Sequence, residues 1–262
     1  MKELRLNRIL ARDGRSVIIA FDHASFMGPL PGIETPGKLL DVLGDSGVDA
    51  VLTTRGVVQN FAGKFGRLGL MLRADQGAIP GGRVAGALRP VVTVEQALRL
   101  GADALICMGM IGFEDEAASL RNLAAFTAEA LAWGMPVVAE MFVKPRDGAA
   151  VTPTDLGFAM RMGAELGADL IKVSYRGPVA DYRAALAACY LPVVILGGEK
   201  AKNDQEILET IADAMQAGAR GVAIGRNVWQ HADPAGMCRA LVELVHGSGR
   251  VEAAAREIRT RA

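Results

Sequence analysis

Short apolar runs, each closed by a glycine or a polar side chain, alternate along this chain with alanine-rich stretches of helical pattern. Val17–His23 (VIIAFDH) is apolar up to a polar end, which predicts a strand buried on both faces. A glycine- and proline-rich loop over Met27–Gly37 leads to a predicted helix near Lys38–Ser46. Ala50–Leu52, running into Thr53–Arg55, and Leu68–Leu72, running into Arg73, predict the second and third strands. Thr93, with Glu95 and Gln96 in the next turn, predicts a capped helix start.

From there one unit recurs: a helix, a glycine, then a short apolar strand. It appears in LGADALICM (Leu100–Met108), WGMPVVAEMF (Trp133–Phe142), LGADLIKVSY (Leu166–Tyr175) and AGARGVAIGRN (Ala217–Asn227), with a further strand between Tyr190 and Gly198. Eight strands, apolar along their lengths and separated by helices, indicate a parallel sheet. Eight such units in 262 residues match the size of a (β/α)8 TIM barrel, read here as a single α/β domain over residues 1–262. Leu6, Ile9 and Leu10 fall at helical spacing and predict a short N-terminal segment packed beneath it. Asp233–Val245 and Val251–Arg261 predict a C-terminal helical tail. An open doubly wound sheet is the competing arrangement, but the glycine fingerprint expected after its first strand is missing.

Composition then narrows the class. Hydrophobic residues make up 51%, and 29 basic residues balance 29 acidic ones, so no charge footprint for nucleic acid or a membrane surface is expected. No apolar run approaches the ~18 residues of a membrane span. Cys107, Cys189 and Cys238 lie far apart without metal-type spacing, which predicts reduced thiols in a cytoplasmic protein. The charged N-terminus does not read as a signal peptide. No metal and no cofactor are expected.

One residue breaks the apolar pattern. Along Leu170–Tyr175 side chains alternate, so Leu170, Lys172 and Ser174 share one face and Ile171 and Val173 the other. Lysine is used sparingly here, and a lysine inside an apolar strand needs either a buried partner or a reason to be neutral. Two readings follow: a structural ion pair, or an amine that attacks a carbonyl. The second needs a lowered pKa, which an apolar wall and a neighbouring cation such as Lys144 or an arginine would supply. In a barrel the active site lies at the C-terminal strand ends, where Asp22, His23, Arg55, Arg73, Asp75, Glu140, Lys172 and Tyr175 stand. Asp22 shares a face with Ala20 and Ile18 and should point inward, with His23 outward or upward. Gly197–Gly198 and Gly225–Arg226 each open a loop before a helix, near the last two strands where barrels often bind phosphate. Arg226 would complete such a site with a forked guanidinium. Cys107 has no histidine placed to activate it and reads as core.

FDHASFMGP, VLTTRG, LIKVSY, GGEK and above all GVAIGRNVWQ resemble the class I aldolases of the archaeal fructose-bisphosphate aldolase (DhnA/FbaB) type. The same segments are similar to the 3-hydroxy-5-phosphonooxypentane-2,4-dione thiolases. The resemblance covers about Asn7 to His246. It implies a (β/α)8 barrel, a Schiff-base lysine at Lys172 and a carboxylate at Asp22. It further implies phosphate held by the Gly197–Gly198 and Gly225–Arg226 loops, and homo-oligomers of pentamer or decamer type. Arg55 and His23 are added as substrate-binding candidates. The fifth strand departs from the family pattern, since Glu140 and Phe142 stand where such aldolases carry a tryptophan and a catalytic tyrosine. Phenylalanine transfers no proton, so either Glu140, Tyr175 or water takes over, or the substrate is not fructose 1,6-bisphosphate. The expected reaction is Schiff-base cleavage or formation of a C–C bond in a small phosphorylated keto substrate. Acyl transfer on a phosphorylated diketone and a non-catalytic sugar-phosphate-binding barrel are the alternatives.

Overall fold

The structure, a computed structural model, describes residues 1–145 and 148–259. Eight strands form the barrel: β1 (Ser16–Ala20), β2 (Ala50–Thr53), β3 (Gly69–Arg73), β4 (Ala104–Ile111), β5 (Val137–Val143), β6 (Leu170–Ser174), β7 (Val193–Leu196) and β8 (Gly221–Ile224). They pair in sequence order and all in parallel, with β8 returning to β1 to close the sheet. Every predicted strand is present within a few residues. The Thr93 cap is also formed, its hydroxyl accepting from Gln96 N–H while the Gln96 side chain accepts from Thr93 N–H. The final helix runs over Val251–Arg259, and Arg261, its predicted end, lies outside the described residues. Among the described residues no helix is long and apolar enough to cross a membrane.

Two apolar layers hold the sheet. Outward residues such as Val17, Val51, Leu72, Leu105, Ile171 and Val222 pack against the helices. Inward residues Ile18, Leu52, Met71, Ile106, Val138, Leu170 and Val194 fill the barrel itself. Ile9, fully buried, joins that inner cluster from below, so the N-terminal segment plugs the barrel floor. The Ser16 hydroxyl donates to the Ile9 carbonyl, and a side chain at Gly69 would overlap the carbonyl of Arg8.

The floor repeats one device. Gly-Val-Asp, Gly-Ala-Asp and Gly-Ala-Asp precede β2, β4 and β6, each glycine with φ between 77° and 93°. Asp49, Asp103 and Asp169 each accept the backbone N–H of the preceding strand's Val17, Leu70 or Val137, at 2.7, 2.9 and 2.9 Å. Each also donates its own N–H to that same residue's carbonyl. A cation then caps each carboxylate: His246 on Asp49, Arg8 on Asp103 and Lys2 on Asp169, at 2.9, 2.9 and 2.6 Å. Before β8 the device loses its acid, because Arg220 occupies the equivalent place and keeps only the backbone bond to Val193.

Candidate active site

At the other end, the inward alternation continues past the aliphatic layer into charge. Arg73 ends β3, Glu140 lies on β5, Lys172 on β6, and Asp22 and Asp75 just follow β1 and β3. Glu140 is in register with Lys172 on one side and Met108 on the other. All five charged residues are buried, none more than 5% exposed. The Arg73 guanidinium spreads its donors over three carboxylates. Nε donates to Asp22 at 2.8 Å, Nη1 to Asp75 at 3.3 Å and Nη2 to Glu140. The second oxygen of Glu140 pairs with Lys172 Nζ.

Such a set is stable only because each charge has a partner; a lone buried charge would be strongly unfavourable. Burial by itself would raise the Glu140 carboxyl, but Lys172 and Arg73 outweigh it and hold the group at about 2. Burial also works to lower Arg73, and the three carboxylates around it, Glu140 foremost, push it well above its ordinary value. Asp75 moves the other way. Burial raises it, against the guanidinium and the Met108 N–H at 2.7 Å. Of the cations expected near Lys172, Lys144 or an arginine, Lys144 is exposed beside the Phe113 ring, whereas Arg73 shares the Glu140 carboxylate with Lys172.

A cavity of about 320 Å³ opens over this set, with Lys172, Glu140, Asp22 and Arg73 on one wall. Its other wall is Gly197, Gly198, Gly225 and Arg226. Asn227 braces these two loops together, accepting from Ala201 N–H and donating to the carbonyls of Gly197 and Glu199. Side chains at Gly197 and Gly225 would overlap Ile224, and Ala20 with His23, respectively, so packing requires these glycines. Arg226 Nε is buried without a hydrogen-bond partner among the described residues. His23, expected to point outward or upward, lines the cavity, because the chain turns there into the helix Ala24–Met27. Its imidazole stands edge-on to Trp229, and burial lowers it from its ordinary value despite the Asp22 carboxylate at 3.6 Å.

Two candidates are placed elsewhere. Tyr175 falls on the face opposite Lys172 and packs edge-on against Tyr182 with ring centroids 4.8 Å apart, outside the cavity lining. Arg55 is exposed and lines a second cavity of about 230 Å³, which adjoins the charged set from the other side through Arg73 and Asp75. Phe142 does line the main cavity beside Glu140, as the shared face required. The residue whose importance the sequence does not reveal is Arg73. It is visible as a polar strand end, but nothing local shows that three carboxylates from the ends of β1 and β3 and from β5 meet on it.

A closed parallel barrel with a lysine buried among carboxylates at its mouth defines the architecture of a barrel aldolase. Residues 16–231 match the model of the DeoC/LacD family aldolases, and the chain belongs to that family. It is 35% identical over 253 residues to a 2-amino-3,7-dideoxy-D-threo-hept-6-ulosonate synthase of Halobacterium salinarum, covering 97% of this chain and 94% of that protein. It is 33% identical over 249 residues to the class 1 fructose-bisphosphate aldolase of Thermoproteus tenax, covering 92% and 93%. Among solved structures, an archaeal fructose-1,6-bisphosphate aldolase with its catalytic lysine covalently bound to the carbinolamine intermediate superposes with a TM-score of 0.83. That match has 30% identity and covers 94% of this chain and 100% of that one.

Proposed function

We propose that this class I aldolase uses Lys172 to form a Schiff base with a phosphorylated ketone, with Glu140 moving the protons of that step. The observation that carries the reading is the cavity itself. A buried lysine paired to a carboxylate faces a wall of glycine backbone and an unpartnered guanidinium nitrogen. The phosphate sits against Gly197, Gly198, Gly225 and Arg226, which sets the ketone carbon toward Lys172.

The protons balance as follows. The Lys172 ammonium gives a proton to Glu140, and the free amine attacks the carbonyl carbon, sending the π pair to oxygen. A proton passes from nitrogen to that oxygen to give the carbinolamine. Glu140 then returns its proton to the hydroxyl, water leaves, and the nitrogen lone pair closes the protonated imine. Glu140 ends as it began, a carboxylate beside a cation. In the cleavage direction Asp22 takes the proton of the hydroxyl on the departing fragment, and the C–C electrons pass to the iminium. Asp22 returns its proton to the enamine carbon, directly or through a water, and hydrolysis of the iminium frees the lysine. The iminium is the electron sink, and the reading includes no metal and no cofactor.

Phe142 offers no acidic hydroxyl to this mouth, so fructose 1,6-bisphosphate is a poor substrate and another phosphoketone adduct is the better one. Exposed Leu131, Trp133, Phe158 and Tyr190 support assembly into a homo-oligomer; its pentamer or decamer type follows from the family resemblance, and a cytoplasmic location from the unpaired cysteines. Borohydride reduction in the presence of dihydroxyacetone phosphate tests the chemistry. One adduct mapping to Lys172 is expected, formed equally well in EDTA. Adduct at Lys144 or Lys200, or none with any phosphoketone, would falsify the assignment.

A further inference from the structure

We propose that Arg73 is the positioning residue of this mouth: anchored through Asp75 to the backbone of β4, it fixes Glu140 against Lys172. The inference rests on the reading of Lys172 and Glu140 given above. A glutamate has three rotatable torsions, and a carboxylate free to turn would face Lys172 only part of the time. Here one oxygen of Glu140 is taken by Nη2 of Arg73, which leaves the other directed at Nζ.

Arg73 is itself immobilised. Its Nη1 donates to Asp75, a fully buried carboxylate whose second oxygen accepts Met108 N–H at 2.7 Å. Met108 is the β4 residue in register with Glu140, so anchor and anchored group stand on neighbouring strands. Phe26 lies against the guanidinium, its ring centroid 5.6 Å from Cζ, and Nε is held by Asp22. A planar fork with three separately engaged nitrogens sets three carboxylates at fixed angles. An ammonium in its place would keep the charge and lose the angles. When every member is ionised the set holds three negative charges against two positive ones. A set serving only to neutralise charge would have no need of that excess.

Rapid-quench borohydride trapping at Lys172, with dihydroxyacetone phosphate as the probe, separates positioning from plain support. Arg73→Lys is expected to slow trapping about ten- to hundredfold, the size of effect that a misplaced reacting group produces. KM for the phosphoketone should stay within about twofold, since all three Arg73 nitrogens are engaged by carboxylates and the phosphate lies on the opposite wall. In a Glu140→Gln background the same change should alter the trapping rate by no more than about twofold, because its effect passes through Glu140. Equal slowing in both backgrounds, or a change confined to KM, overturns the inference. So does unchanged trapping in Arg73→Lys when the parent traps normally. If Arg73→Lys does not fold, Asp75→Asn removes the anchor's charge at constant shape. It should slow trapping about three- to tenfold with the same dependence on Glu140, and additive slowing there is equally fatal. No trapping in the parent would remove the Lys172 reading, and this inference with it.

Discussion

At the floor of the barrel, Asp49, Asp103 and Asp169 each hold one strand's N–H and one cation, and none shares a partner with another. At the mouth, Asp22, Asp75 and Glu140 converge on the single guanidinium of Arg73, and Lys172 joins through Glu140. The same residue types do opposite things because of connectivity. Separate pairs near the surface act independently and add roughly, whereas one buried network responds to any loss as a unit. The floor therefore distributes stability, and the mouth concentrates chemistry.

The largest effect that divides the two ends is expected from Lys172→Met. It should lower turnover at least about 10⁴-fold, the range seen when a covalent nucleophile is removed, and abolish borohydride trapping while the barrel still folds by circular dichroism. Residual trapping elsewhere on the chain would show that the mouth is not the reactive end. Next in size, Arg226→Ala should raise KM for phosphorylated substrates about ten- to hundredfold, corresponding to the roughly 1.5–3 kcal/mol of a charge-assisted hydrogen bond. Equal affinity for phosphorylated and unphosphorylated ketones in parent and variant would place the phosphate elsewhere.

Asp103→Asn sharpens the comparison from below. It removes the charge that Arg8 caps and weakens the bond to Leu70 N–H, at a cost of about 1–3 kcal/mol. Thermal unfolding should shift down by roughly 2–10 °C, with kcat unchanged. A fall in kcat without a fall in Tm would contradict the division of labour. The smallest effect is a pH dependence at the floor. The Asp49 hydrogen bond raises His246 against the cost of its burial, and with the Asp13 bond it reaches about 8. Since the folded form binds that proton more tightly than the unfolded chain, the contribution is complete below about pH 6.5 and is lost as pH rises through 8. Melting curves at about pH 6 and pH 9 should differ in the parent by more than in His246→Gln; an equal difference in both would sink the idea.

The strands are legible because each is apolar along its length and stops at a glycine or a charge, and parity puts Lys172 on the face of Leu170, which packs inside the barrel. The same parity turns Tyr175, an odd number of residues from Lys172, away from the cavity. Arg55 is not on a strand at all: it opens the helix Arg55–Phe61, where strand alternation no longer applies. At His23 alternation leaves two directions open, outward or upward, and the helix that begins at Ala24 sets the ring over the cavity. Arg73 escapes for a different reason. Its partners are Asp22, Asp75 and Glu140, and a convergence of side chains across three strands leaves no local periodicity. The floor acids are regular in sequence, yet their acceptor role depends on a strand that begins about 32 residues earlier.

The N-terminal segment across the floor has a consequence for how the protein is made. Lys2 and Arg8 leave the ribosome well before their partners at Asp169 and Asp103, which are added much later. At roughly 5–20 residues per second, Lys2 waits on the order of 10–30 s for Asp169 to be synthesised. Until then Ile9 has no barrel interior to enter, and the nascent chain carries an apolar stopper without its bottle. Closure of the floor is thus a late event of biosynthesis, completed only when the His246 end of the chain reaches Asp49.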